Sequence, residues 1–80
     1  MTTLGEYRVG ITFNPSANPQ VAELKWAAAR FIDLCSTIEI PLDSDAETRC
    51  EVARLIALAM THAEDAAMWA VKAATKTKRE

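Results

Sequence analysis

The stretch Ile38-Glu39-Ile40-Pro41-Leu42-Asp43-Ser44-Asp45-Ala46-Glu47 separates two long runs of helix-forming residues and decides the fold. Pro41 has no N–H, clashes with a continuing helix and pushes Ile40 into extended backbone, so a helix arriving from upstream ends near Glu39. Ser44-Asp45-Ala46-Glu47 then has the capping-box spacing, in which Ser44 and Glu47 each satisfy an orphan backbone N–H, and a second helix starts there. A connection this short joins antiparallel neighbours. The expected fold is all-α: a short N-terminal segment or helix over 1–17, then a helical hairpin.

Upstream, Asn18-Pro19 pairs an N-cap side chain with a proline whose missing N–H is not needed in the first turn, which opens helix one over 18–39. Val21, Leu24, Ala28, Phe31, Cys35 and Ile38 recur at spacings of three and four and are its expected buried face. Downstream, neither Gly nor Pro interrupts the chain, and helix two is expected over 44–76, roughly 50 Å long. Asp43, Asp45 and Glu47 at its start and Lys72, Lys76 and Lys78 at its finish suit the macrodipole.

The expected inner stripe of helix two is Val52, Ile56, Ala59, Ala63, Ala66, Ala70 and Ala73, small residues that admit a close neighbour. Leu55, Leu58, Met60, Met68, Trp69 and Val71 fall outside it, more apolar surface than one partner helix covers. Pairing outward from Pro41 sets Asn18 near Ala66. Met68 to Lys76 must then be covered by the N-terminal segment or by another subunit.

Eighty residues allow one domain, 1–80, and much of the 50% hydrophobic content is alanine, which buries little area per residue. Such a scaffold needs support, and the expected support is homo-oligomerisation. Cys35 and Cys50 lack CxxC spacing and read as small buried hydrophobes. A net charge of −2 is a poor match for DNA or RNA polymers, and no apolar run approaches a membrane span or a signal peptide. A cytosolic protein is expected.

His62 is the single histidine, and no Ser-His-Asp set, HExxH, CxxC or phosphate-cradling Gly loop can be assembled around it. Glu64 and Asp65 beside it read as solvated helix residues. The expectation is no enzyme, no metal and no cofactor. Thr12-Phe13-Asn14-Pro15-Ser16 is different, an irregular polar stretch between structured pieces, where binding residues often lie. Asn14 and Ser16 bring hydrogen-bonding groups, Phe13 or Tyr7 an aromatic face for a base, and Lys25 a point charge for phosphate. The hairpin register sets this loop beside Met68, Trp69 and Lys72. The plainer alternative is a turn, a cap and a core ring.

Arg8-Val9-Gly10, Phe13-Asn14-Pro15-Ser16, Val21, Lys25, Ala29 through Ile32-Asp33, and Glu64-Asp65-Ala66-Ala67-Met68-Trp69-Ala70-Val71-Lys72-Ala73 with Thr75 together resemble one family. It comprises the small phage anti-CBASS sponges and the related Thoeris anti-defence sponges, which share a helical hairpin domain. The resemblance implies a compact homohexamer in the cytoplasm of the infected bacterial host. It would sequester cyclic di- or trinucleotide messengers, such as 3′,3′-cyclic GMP-AMP, at subunit interfaces without cleaving them. Cyclic ADP-ribose signals of Thoeris defence are the alternative ligand. By position, Phe13, Asn14, Ser16 and Lys25, with Tyr7 and Arg8, match the family's N-terminal ligand-contacting region. Met68, Trp69, Lys72 and Thr75 match its C-terminal motif, in which the resemblance implies phosphate contact for Lys72 and an interface role for Trp69. The competing reading is a hairpin that binds only itself or a host protein.

Overall fold

The computed structural model describes residues 1–79; the last residue of the expected 1–80 domain lies outside them. Three helices follow one another, α1 (Leu4–Val9), α2 (Pro19–Cys35) and α3 (Ala46–Ala74). α2 and α3 form the expected hairpin, and the N-terminal segment contributes a helix of its own. Thr3 and Glu6 close a capping box on α1: the Glu6 backbone N–H donates to Thr3 Oγ1 (3.1 Å) and the Thr3 N–H to Glu6 Oε1 (2.8 Å). Gly10 ends it in the left-handed conformation, φ 64°.

α2 starts as expected, with Asn18 Oδ1 accepting from the N–H groups of Gln20 (2.8 Å) and Val21 (3.2 Å). It ends at Cys35, a turn before Glu39. Two consecutive hydroxyls cause this, because Ser36 Oγ and Thr37 Oγ1 donate back to the carbonyls of Asp33 and Leu34, both at 2.6 Å, and compete with the helical ladder. α3 starts one residue later than Ser44. Asp45 is its N-cap, accepting from the Thr48 N–H at 2.7 Å, whereas the Ser44 hydroxyl turns back to the Pro41 carbonyl (2.6 Å), so the Ser44/Glu47 capping box does not form.

The hydrogen bond from Thr48 lowers the pKa of the Asp45 carboxyl below its ordinary value. A depressed folded-state pKa gives stability that is present above the unfolded value and lost as pH falls through the folded one. The melting temperature should therefore fall on acidification below the carboxylate range. Asp45→Asn, which still caps a helix, should flatten that part of the dependence in thermal melts against pH.

The core differs from the heptad expectation on both long helices. On α2 the buried residues are Val21, Lys25, Ala29, Ile32 and Cys35, while Phe31 and Ile38 are each 51% exposed. α1 docks on the Ala29 side of α2 and draws burial around to that side. On α3, Met60 and Ala67 are buried and Val71 and Ala74 half-buried, whereas Ala66 and Ala73 face outward. A straight helix has 3.6 residues per turn, and its buried and half-buried positions here include 52, 56, 60, 63, 67, 71 and 74, which advance by four, four and three rather than by a strict heptad; Val52, Ile56, Ala59, Ala63 and Ala70 of the expected stripe are half-buried. Ile32, Cys35 and Met60 form the central cluster, with Val9, Ile56, Ala59 and Ala63 packed on it. Cys35 is buried as expected, but Cys50 is exposed on the first turns of α3.

The register also shifts. Leu24, Ala28 and Phe31 line one shallow groove with Ala63, Ala66 and Ala70, so Asn18 lies beyond Ala66 rather than beside it. Because residues 36–45 form an extended connection rather than a tight turn, the overhang falls at the start of α3. Its far end is covered from the N-terminal side, where the 13–16 loop meets Val71 and Thr75.

The Cα trace measures 56 × 29 × 12 Å, one helix layer thick. It exposes 6290 Å², against about 4,800 Å² for a folded monomer of its mass. No helix among the described residues is long and apolar enough to cross a membrane.

Candidate functional site

A cavity of about 330 Å³ opens at the end of the hairpin remote from Pro41. Its floor is Val21 and Lys25 from the first two turns of α2, its sides are Val71 and Thr75 from the end of α3, and its rim is Phe13-Asn14-Pro15-Ser16. Each rim and floor residue is held by a local interaction. The Asn14 side chain clasps the backbone of Asn18, donating through Nδ2 to the Asn18 carbonyl (2.8 Å) and accepting at Oδ1 from the Asn18 N–H (3.1 Å). Ala17 takes φ 51° inside this clasp, and its N–H donates to the Asn14 carbonyl at 2.9 Å. Both asparagines precede a proline, which biases them to extended backbone and leaves few conformers for the loop.

Lys25 is 8% exposed and is the one charged side chain in the buried set. Its Nζ donates to the carbonyls of Gly10, at 3.0 Å, and Phe13, and lies 5.2 Å from the centre of the Phe13 ring. Among the described residues the one salt bridge is Glu51 to Arg54 on α3, so no carboxylate neutralises this ammonium. An ammonium has three protons, and two are committed to the protein. A buried cation balanced by carbonyl dipoles and an aromatic face favours an anion that brings a flat ring. Phe13 offers that face at 70% exposure. Thr75 ends α3, its hydroxyl donating to the Val71 carbonyl at 2.8 Å.

Five of the ten residues singled out from the sequence, Phe13, Asn14, Ser16, Lys25 and Thr75, meet in this cavity. Tyr7 is exposed on α1, and Arg8 Nη1 donates to Met60 Sδ (3.3 Å), bridging α1 to α3. Met68, Trp69 and Lys72 are exposed on the outward side of α3, with Lys72 Nζ 5.4 Å from the Trp69 ring centre. The expected placement of the loop beside these three is right about the end of the hairpin and wrong about the face. Val71, half-buried, and Thr75, exposed one turn on, line the cavity in their stead. Sequence reasoning placed Val21 on the buried face of helix one without assigning it to the site, and set Val71 outside the inner stripe of helix two; a straight-helix reading of the 3.6 period would have turned Val71 inward.

A protein-family model described as the Acb2/Tad1 hairpin domain matches residues 6–75. The chain belongs to the Acb2/Tad1 hairpin-domain family. This is the anti-CBASS and Thoeris sponge family expected from the Phe13-Asn14-Pro15-Ser16 and Met68-to-Ala73 stretches. The span that carries the Acb2/Tad1 match runs from the last turn of α1 to the Thr75 cap, and so contains every residue of the cavity. No curated protein and no solved structure matches the chain.

Proposed function

We propose that this member of the Acb2/Tad1 hairpin family binds cyclic di- or trinucleotide messengers of bacterial CBASS defence, 3′,3′-cyclic GMP-AMP among them, and withholds them intact from their effector. The observation that carries this reading is the family match across the whole cavity, with a buried lysine that has no carboxylate partner among the described residues beneath an exposed aromatic ring. About 330 Å³ is at the low end of small-molecule pockets, room for one base and its flanking phosphate rather than a whole cyclic dinucleotide. A second protomer facing the first supplies the other half, so a two-fold ligand meets two lysines and two rings. The thin, surface-rich protomer suits assembly, and the proposed assembly is the homohexamer. Sequestration needs affinity and copy number, not turnover.

The site acts in the cytoplasm of an infected host, where such messengers are made. Because the family joins Acb2 to Tad1, cyclic ADP-ribose isomers are the second ligand class. Thermal unfolding tests the reading: the melting temperature should climb with the logarithm of ligand concentration above Kd, and chromatography of the denatured complex should return intact ligand. Cleaved ligand would make the protein a hydrolase, and no shift with any cyclic nucleotide or cyclic ADP-ribose isomer would leave a self-association or host-binding module.

A further inference from the structure

We infer that Asn14 is a positioning residue for the cavity: its side chain holds the 14–18 loop in one shape before any ligand arrives, and so presents Ser16 at the rim. The inference rests on the proposed nucleotide site and departs from the ligand-contacting role that the resemblance implies for Asn14.

The amide of Asn14 is committed to backbone at both ends, Nδ2 donating to the Asn18 carbonyl at 2.8 Å and Oδ1 accepting from the Asn18 N–H at 3.1 Å. The same Asn18 carbonyl accepts from the Ala22 N–H (3.2 Å), and Asn18 Oδ1 caps α2, so the clasp ties the loop to the first turn of that helix. Within it, Asn14-Pro15-Ser16-Ala17 is a β-turn closed by the Ala17 N–H on the Asn14 carbonyl (2.9 Å), with Pro15 at the second position, where its φ is already set. Ala17 follows at φ 51°, the one non-glycine residue with a positive φ among the described residues. A β-carbon makes that conformation costly, and it persists only where surrounding bonds over-determine it. The clasp supplies those bonds. Without it Ala17 relaxes to negative φ, which turns the chain at 16–17 and takes Ser16 off the rim.

Ser16 is exposed on that rim. Among the described residues its hydroxyl has no hydrogen-bond partner, whereas those of Ser36, Thr37 and Ser44 donate back to nearby carbonyls. A free hydroxyl and the remaining Lys25 proton in one cavity are two donors for a phosphate, and a loop already ordered adds no ordering cost when the ligand binds.

The test pairs amide hydrogen exchange of the unliganded chain with titration of 3′,3′-cyclic GMP-AMP. In wild type the Asn18 N–H should exchange slowly. Asn14→Ala should speed it at least about tenfold while amides in the middle of α2 and α3 keep their rates, a local change that a loss of overall stability would not produce. Asn14→Ala should also weaken binding about tenfold, and Ser16→Ala added to it should cost little more. Ala17→Gly added to Asn14→Ala should regain several-fold, since glycine holds a positive φ without the clasp; a lost ligand contact could not be regained at position 17. An Asn18 N–H that exchanges equally fast with and without the Asn14 side chain, a Ser16→Ala loss that adds in full, or an Ala17→Gly change that regains nothing would overturn the inference. Wild type that binds no cyclic nucleotide would instead remove the proposed function, and the exchange rates alone would then judge the positioning of the loop.

Discussion

Lys25→Met should cost both the site and a measurable part of the fold. Methionine keeps the length of the stem and its packing against Val21 and Phe13 but removes the ammonium that ties the Gly10 and Phe13 carbonyls to α2. A hydrogen bond to a charged group contributes about 1.5–3 kcal/mol, and two are lost, while relief of lysine burial offsets part of that. A net loss of about 1–3 kcal/mol is expected, which for a chain this small lowers the melting temperature by roughly 4–8 °C per kcal/mol. The larger effect is on binding. With its anchor gone, the 10–13 turn no longer presents the Phe13 ring, and the one buried positive charge is absent, so cyclic dinucleotide affinity should fall at least about a hundredfold. Lys25→Arg should not rescue it, because a planar fork does not fit between two carbonyls set for an ammonium. Calorimetric titration beside a thermal melt checks both; a Lys25→Met protein with wild-type affinity would remove Lys25 from the account.

Gly5→Ala is the second large effect, and it tests the role of α1. A β-carbon at Gly5 would lie 2.0 Å from the Ala29 carbonyl oxygen and 2.7 Å from its carbon, both main chain and held in the ladder of α2. Neither can yield, so α1 must lift. Lifting strains the hydrogen bond from the Gly5 N–H to Asp33 Oδ1 (2.8 Å) and the Arg8 contact on Met60, and uncovers Ile32 beneath Val9. Overpacking of this kind costs about 1–3 kcal/mol or more, beyond the gain of up to about 1 kcal/mol from replacing glycine in a helix. Because the clash is with backbone, Ala29→Gly should not relieve it. Thermal unfolding of the single and double variants decides: Gly5→Ala should be destabilised and the double variant less stable still, by about 1 kcal/mol for a glycine inside α2, whereas a double variant that regains stability or a stabilised Gly5→Ala protein would show that α1 does not dock in this way.

The parts of the fold legible in the sequence were those written in local backbone chemistry. Asn18-Pro19 starts α2 where expected, and Pro41 lies in the connection between α2 and α3, although α2 has already ended at Cys35. The capping box of α1 was equally legible in Thr3 and Glu6, with Gly10 as its stop, yet a six-residue helix has too short a pattern to announce itself. Facing was harder to read. A heptad rhythm can be traced through alanine-rich sequence almost at will, and the placement of α1 on α2 decided that Lys25 and Ile32, not Leu24 and Phe31, turn inward. Register depended on the length of an irregular connection, and Ser36 and Thr37 lengthened it by ending α2 early. The same two causes explain the cavity: its loop and lysine were visible as residue types, whereas its α3 wall required the rotation and register of a helix more than forty residues away.

The central claim is that the chain is a sponge, and the most direct measurement is calorimetric titration of 3′,3′-cyclic GMP-AMP into the purified protein with solution mass taken on the same sample. The account predicts sub-micromolar binding to an oligomer, at about one cyclic dinucleotide per two chains, with the ligand recovered intact. No heat with any cyclic di- or trinucleotide or cyclic ADP-ribose isomer would contradict it, and would leave the hairpin as an assembly or host-binding module alone.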